Sequence, residues 1–326
     1  MQTRRRLLAA TAIALSALAL GTTAQAQGFP TRPIKIVVPF AAGGTGDVLV
    51  RSLQEPLQRH LGQPIIVENR LGASGTMGSS HVKNSPADGY TLLQVGNSTL
   101  STPLMQKTPA YDPLKDFAPV GLIATTPMVF LVHPSVPAND LKGLIEHARA
   151  NPGKLEFSSA GRGSLAHLAT ESFNQAAGLQ MVFVPYQGAA QAVNAALAGD
   201  VKIALTTPSD AINSFVSSGR LKMMAVSSDK RSPLLPNVPA ISESLPGFAV
   251  NAFFGLAAPA GTPPDVVARL NDALNKSVAE PAMQAKLKAL GMFPNPMSAA
   301  SFNDMFRKDH ALWSSVIAKG KIEAAE

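Results

Sequence analysis

Two short runs of small and hydroxylated residues hold the groups best suited to chemistry. The first is Pro39-Phe40-Ala41-Ala42-Gly43-Gly44-Thr45-Gly46-Asp47; the second is Ser158-Ser159-Ala160-Gly161-Arg162-Gly163-Ser164, with His167 shortly after it. Their glycines let a ligand approach backbone N–H groups closely, and each run sits where a strand pattern gives way to a helix pattern. Amides at a helix start carry partial positive charge, so an anion is the natural occupant even without a lysine. Other chemistries find no footing. The pattern G-x-G-x-x-G fails because Val48-Leu49 stands where the third glycine would fall, and G-x-x-x-x-G-K-[ST] does not occur. Gly163-Ser164 is followed by Leu165-Ala166, so there is no G-x-S-x-G elbow. The six histidines are scattered with no pair at metal spacing, and the absence of cysteine removes thiolate zinc sites, iron–sulfur clusters and a cysteine nucleophile. Neither a metal nor a cofactor is expected. One nucleophilic arrangement competes: Ser164 and His167 share a helix face, with Glu171 one turn on as an orienting partner. Asp47 and His167 each admit two readings, ligand contact or a helix-start role.

The elements that must position these groups follow from periodicity. Ile34-Lys35-Ile36-Val37-Val38 reads as a buried strand, and Val50, Leu53, Leu57 and Leu61 mark one face of a helix over 47–61 that Pro56 is expected to kink or cut short. Further strands are predicted over 65–67, 91–95, 128–132, 155–157, 181–184, 203–205 and 223–226. Leu141, Leu144, Ile145 and Ala148 give an amphipathic helix, and others are predicted over 164–177, 189–198 and 301–319. Thr262-Pro263-Pro264-Asp265 reads as a helix start with Thr262 as its cap. Strands alternating with helices predict an α/β architecture with parallel sheets covered on both faces. The proline-rich stretch over 232–246 could carry the chain between domains.

Composition narrows the function classes. Charged residues make up 15% of the 326, hydrophobic ones 46%, which supplies a core large enough for two domains. Arg4-Arg5-Arg6, the apolar run over 7–20 and Ala24-Gln25-Ala26 form an export signal over 1–26, cut after Ala26. Thr3-Arg4-Arg5-Arg6-Leu7-Leu8 also approximates a twin-arginine signal, so both export routes stay open. The signal contains three of the 28 basic residues, and its loss lowers the net charge from +7 to +4. No basic cluster interleaved with aromatics remains, which argues against nucleic acid. No later stretch is long and apolar enough to hold the mature chain in a membrane.

Ile36-Val37-Val38-Pro39-Phe40 with Gly43-Gly44, Asp47 and Arg51 resembles the opening signature of the Bug receptors, the periplasmic solute-binding proteins of tripartite tricarboxylate transporters. Val67-Glu68-Asn69-Arg70, Asp88-Gly89-Tyr90-Thr91-Leu92-Leu93, Tyr111-Asp112-Pro113, Ser159-Ala160-Gly161, Val184-Pro185-Tyr186 and Ala258-Pro259-Ala260-Gly261-Thr262-Pro263 extend the resemblance in order along the mature chain. It implies a two-domain periplasmic-binding-protein fold of type II character. Each lobe would be a mainly parallel sheet flanked by helices, with the ligand cleft between them. Residues 27–125 and 252–326 would form domain 1 and residues 126–251 domain 2, with crossings near 124–126 and 251–254. The implied function is a monomeric, non-enzymatic periplasmic receptor that closes on a small carboxylate and delivers it to membrane transporter components. Domain 1 would supply Phe40, Ala42, Gly43, Gly44, Thr45, Asp47, Asn97 and Ser98. Domain 2 would supply Ser158, Ser159, Gly161, Gly163, Ser164, His167, Tyr186, Gln187, Gly188, Thr206 and Thr207. Many relatives carry an acidic or Asn residue near Thr206-Thr207; its absence here argues against a ligand with an ammonium group. A sensor docking on a membrane signalling protein, and a secreted hydrolase using Ser164 and His167, are the alternatives.

Overall fold

The computed structural model describes residues 28–322; the signal over 1–26 lies outside them. Strand β1 (Ile34–Val38) shows how the chain builds a doubly covered sheet. Ile34, Ile36 and Val38 enter one hydrophobic core while Val37 joins Leu93 and Val95 in another, so the strand is apolar almost throughout. Helix α1 (Thr45–Leu61) packs Val50, Leu53, Leu57 and Leu61 onto the first of these cores. It continues through Pro56 to Gly62, which ends it in the left-handed region at φ 73°, so the early stop expected at the proline does not occur.

The first sheet adds β2 (Ile65–Asn69), β3 (Thr91–Gly96), β4 (Phe117–Pro127), β10 (Asn251–Pro259) and β11 (Phe293–Pro294), in the order β11-β4-β10-β3-β1-β2. The second contains β5 (Val129–Val132), β6 (Glu156–Ser159), β7 (Val182–Pro185), β8 (Ile203–Thr206) and β9 (Lys222–Val226), in the order β7-β6-β8-β5-β9. The α/β, two-sheet architecture is as expected, but the sheets are mixed rather than mainly parallel. Among the described strands, β1–β2, β1–β3, β6–β7 and β6–β8 pair in parallel. β10 and β11 run against the other strands of the first sheet and β5 against those of the second, so their pairings are antiparallel.

Helices α2 (Thr76–Lys83), α3 (Asn97–Met105), α8 (Pro264–Ala279) and α9 (Pro281–Ala289) accompany the first sheet. Helices α4 (Leu141–Ala150), α5 (Leu165–Ala177), α6 (Ala189–Ala198) and α7 (Asp210–Ser217) accompany the second. Thr262 does not cap α8: its hydroxyl donates to the Pro259 carbonyl at 2.7 Å, and Pro263 occupies the cap position. The long α10 (Ala299–Gly320) packs against α3 and β4 of one lobe and α5 of the other.

The chain passes between sheets twice, directly from β4 to β5 and again through the segment joining β9 to β10. Buried Ser227 ties the two crossings together. Its N–H donates to the Met128 carbonyl at 2.8 Å, its Oγ accepts from the Met128 N–H at 2.9 Å and donates to the Val250 carbonyl, and its carbonyl accepts from the Val250 N–H at 2.8 Å. Behind these crossings one hydrophobic core is shared by both lobes. It runs from Leu93, Leu100 and Phe117 through Phe302, Phe306 and Trp313 of α10 to Phe130, Phe157 and Phe173.

Candidate functional site

The loop leaving β1 is shaped by a buried carboxylate. Asp47 accepts the Gly43 N–H at 2.8 Å, the Arg51 Nε at 2.9 Å and the Asn69 side-chain amide at 2.8 Å. Asn69 also donates to the Phe40 carbonyl at 3.0 Å, so both ends of the loop are held from β2. Burial pushes the Asp47 carboxyl up, but the hydrogen bonds from Arg51, Gly43 and Asn69 outweigh it and hold the group below the usual carboxylate range. With Gly43 at φ 80°, the loop turns its main chain outward and delivers Gly44 and Thr45 to the start of α1.

A second helix start lies beside the first. β3 ends at Gly96 and α3 begins at Asn97 without a loop between them. The Asn97 side chain is committed to the neighbouring strand: Nδ2 donates to the Asn251 carbonyl and Oδ1 accepts from the Phe253 N–H, both at 3.1 Å. Asn97 therefore locks α3 to the crossing strand, and Ser98 is the hydroxyl left at this start.

The third start belongs to the other lobe. After β6, Gly161 (φ 121°) and Gly163 (φ 76°) make the turn into α5, which Ser164 caps by accepting the His167 N–H at 3.3 Å. Ser164 Oγ donates to Ser159 Oγ at 3.1 Å, which in turn donates to the Gly161 carbonyl at 3.0 Å. His167 Nδ1 accepts the Gly163 N–H at 3.0 Å, and its ring stacks 3.8 Å from that of Phe183. Burial, with the Arg162 charge adding to it, pushes this imidazole down to about 4, so it is neutral at pH 7. Ser164 and His167 thus meet through the His167 main chain, while the imidazole serves the glycine turn. Burial also raises the Glu171 carboxyl, against a hydrogen bond with Asn174 that lowers it.

The three starts converge on a hollow of about 300 Å³ between the lobes. Phe40, Gly44, Thr45, Asn97, Ser98, Gly163 and Ser164, all foreseen in the sequence, line it together. Gly46, part of the first glycine run, lines it too; sequence reasoning missed Gln94, Gly96, Leu165 and the stretch 252–254 of β10. Gln94 had a readable signal, a lone polar residue inside the apolar run Leu92-Leu93-Gln94-Val95. No lysine, arginine, aspartate or glutamate lines this hollow. What it offers is the N–H groups of three helix N-termini together with the hydroxyls of Thr45 and Ser98, a lining suited to an anion.

A second hollow of about 500 Å³ adjoins it, sharing Thr45 and Phe254. It takes in Gly43 and Thr207 as well as Thr126, Asn213 and the oppositely charged Asp210 and Lys288. The remaining expected residues line neither hollow. Ser158 Oγ donates to the Ala192 carbonyl at 2.8 Å beneath the sheet, and Asp47, Ser159 and His167 serve the loops as described. Thr206 is buried at the end of β8; Ala42, Gly161, Tyr186, Gln187 and Gly188 border the cleft loops outside both hollows.

The family model described as "Tripartite tricarboxylate transporter family receptor" matches residues 49–322. A UPF0065 protein of Pseudomonas sp. strain P51 is 36% identical over 324 residues, covering 98% of this chain and 96% of the relative. Protein BugT of Bordetella pertussis is 34% identical over 316 residues, covering 96% of each. Among solved structures, an R. palustris protein with adipate aligns with TM-score 0.74 at 33% identity, covering 90% of this chain and 99% of that one. MatC from Rhodopseudomonas palustris with bound malate aligns with TM-score 0.71 at 30% identity, covering 89% and 100%.

Proposed function

The chain belongs to the receptor family of tripartite tricarboxylate transporters, and we propose that it captures a small carboxylate between its lobes and presents it to the membrane subunits of such a transporter. One observation carries the reading: three helix N-termini, two from one lobe and one from the other, meet on a hollow with no charged side chain. A carboxylate there gains hydrogen bonds from both lobes only when they are close together. Its differential affinity for that arrangement drives closure. That one solved relative holds adipate and another malate supports the ligand class.

Receptors of this family are periplasmic, and among the described residues no helix is long and apolar enough to cross a membrane. Cleavage after Ala26 and a monomeric state complete the proposal. The protein binds and releases its ligand unchanged: Ser164 Oγ already donates to Ser159, and because His167 Nδ1 accepts the Gly163 N–H, the proton of the neutral ring sits on Nε2 and no ring lone pair is free to act as a base.

Isothermal titration with a panel of small carboxylates and neutral solutes, followed by solution scattering at saturation, tests this. A carboxylate should bind and reduce the radius of gyration. Binding of neutral solutes alone, or a bound state with unmoved lobes, would refute it.

A further inference from the structure

One polar side chain in the inner hollow has no part in the scheme above. Gln94, near the carboxyl end of β3, is 2% exposed and lines the hollow between the starts of α1 and α3. Its Nε2 donates to the Val95 carbonyl at 2.9 Å, while its Oε1 is buried without a hydrogen-bond partner. The amide occupies the space beneath two glycines of the site: a Cβ on Gly46 would stand 2.9 Å from Oε1, and one on Gly96 3.9 Å from Nε2. Desolvating an amide oxygen without giving it a donor is costly, and such a group in a binding hollow implies a donor supplied from outside the protein.

The surroundings restrict what that donor can be. A carboxylate oxygen cannot donate, and three helix N-termini with no acidic residue in the lining make the hollow hostile to an ammonium group. A neutral hydroxyl meets both conditions. Because Oε1 lies against Gly46, at the start of α1 where the anion is held, the hydroxyl must sit close to the carboxylate. Resting on the carboxylate reading, we propose that Gln94 Oε1 accepts a hydrogen bond from a hydroxyl borne near the ligand's carboxylate, so that the receptor selects hydroxycarboxylates over the same acids without the hydroxyl.

The test is isothermal titration with matched pairs: malate and succinate, lactate and propionate, 3-hydroxybutyrate and butyrate. In the pair that fits the cleft, the hydroxy acid should bind at least about tenfold tighter to the wild type. Gln94→Met should bring the two within about threefold by weakening the hydroxy acid alone, because the orphaned acceptor is gone. A merely structural role would weaken both members equally. If Gln94→Met does not fold, Gln94→Asn, which withdraws the amide by one methylene, gives the same comparison. Equal binding of both members by the wild type, or an unchanged preference in the variant, overturns the role of Gln94 and leaves the carboxylate reading standing. Binding of none of the six acids removes that premise, and this inference with it.

Discussion

His167 and Asp47 are polar residues beside the ligand loops whose side chains serve the loops. The neutral imidazole of His167 makes this measurable. Its proton affinity falls from 6.5 to about 4 on folding, so between those values the unfolded chain binds a proton that the folded one refuses. Stability therefore rises with pH through that window, is fully present above about 6.5, and is lost as pH falls toward 4, by about 3 kcal/mol. His167→Asn, whose Oδ1 can stand in for Nδ1, should abolish that loss. Urea unfolding across pH 4 to 7 should show the wild type losing about 3 kcal/mol more than the variant; parallel losses would contradict it. The sequence places both residues in helix first turns but leaves their roles open. Their deciding partners, Asn69 for Asp47 and Phe183 for His167, are distant in the chain and meet them only through parallel strand pairing.

Elements with strong apolar runs were legible. β1, β3, β5 and β8 are readable as strands because Ile, Val, Leu and Phe dominate them, and α4 and α6 because their apolar residues repeat at helical spacing. The two longest strands, β4 and β10, were not identified as strands. Pro119, Gly121, Pro127, Gly255 and runs of alanine mask their pattern, and their extended form comes from pairing with each other. α3 was missed for a similar reason: Ser98, Thr99, Ser101, Thr102 and Pro103 are weak helix formers, and packing of the buried face overrides propensity. The tie at Ser227 also lies beyond sequence reading, since a serine beside a strand has no periodic signature. Ser227→Ala would leave the Met128 N–H and the Val250 carbonyl each short of a partner inside the protein. Urea unfolding should show a loss of about 2–4 kcal/mol with an unchanged m-value. A change below about 0.5 kcal/mol would mean that the tie contributes little to joining the crossings.

The whole molecule joins an open face to a closed one. On the cleft side Gly163 leaves room for the Met105 thioether and Gly291 lies near Pro208. On the opposite side α10 packs against both lobes, and Gln175 of α5 donates to the Val316 carbonyl at 3.0 Å. The two lobes were expected from the sequence, whereas the packing of α10 against both was not. The sharing of α10 depends on which residues meet its several faces, and amphipathicity alone does not specify that. The unbroken core running from Leu93 through Trp313 to Phe173 has a consequence for how heat takes the protein apart. A lobe cannot melt without exposing part of the other's interior, so the two sheets should form one cooperative unit. Scanning calorimetry should record a single endotherm whose calorimetric and van't Hoff enthalpies coincide. Two resolved endotherms would mean that the shared core fails to couple the lobes.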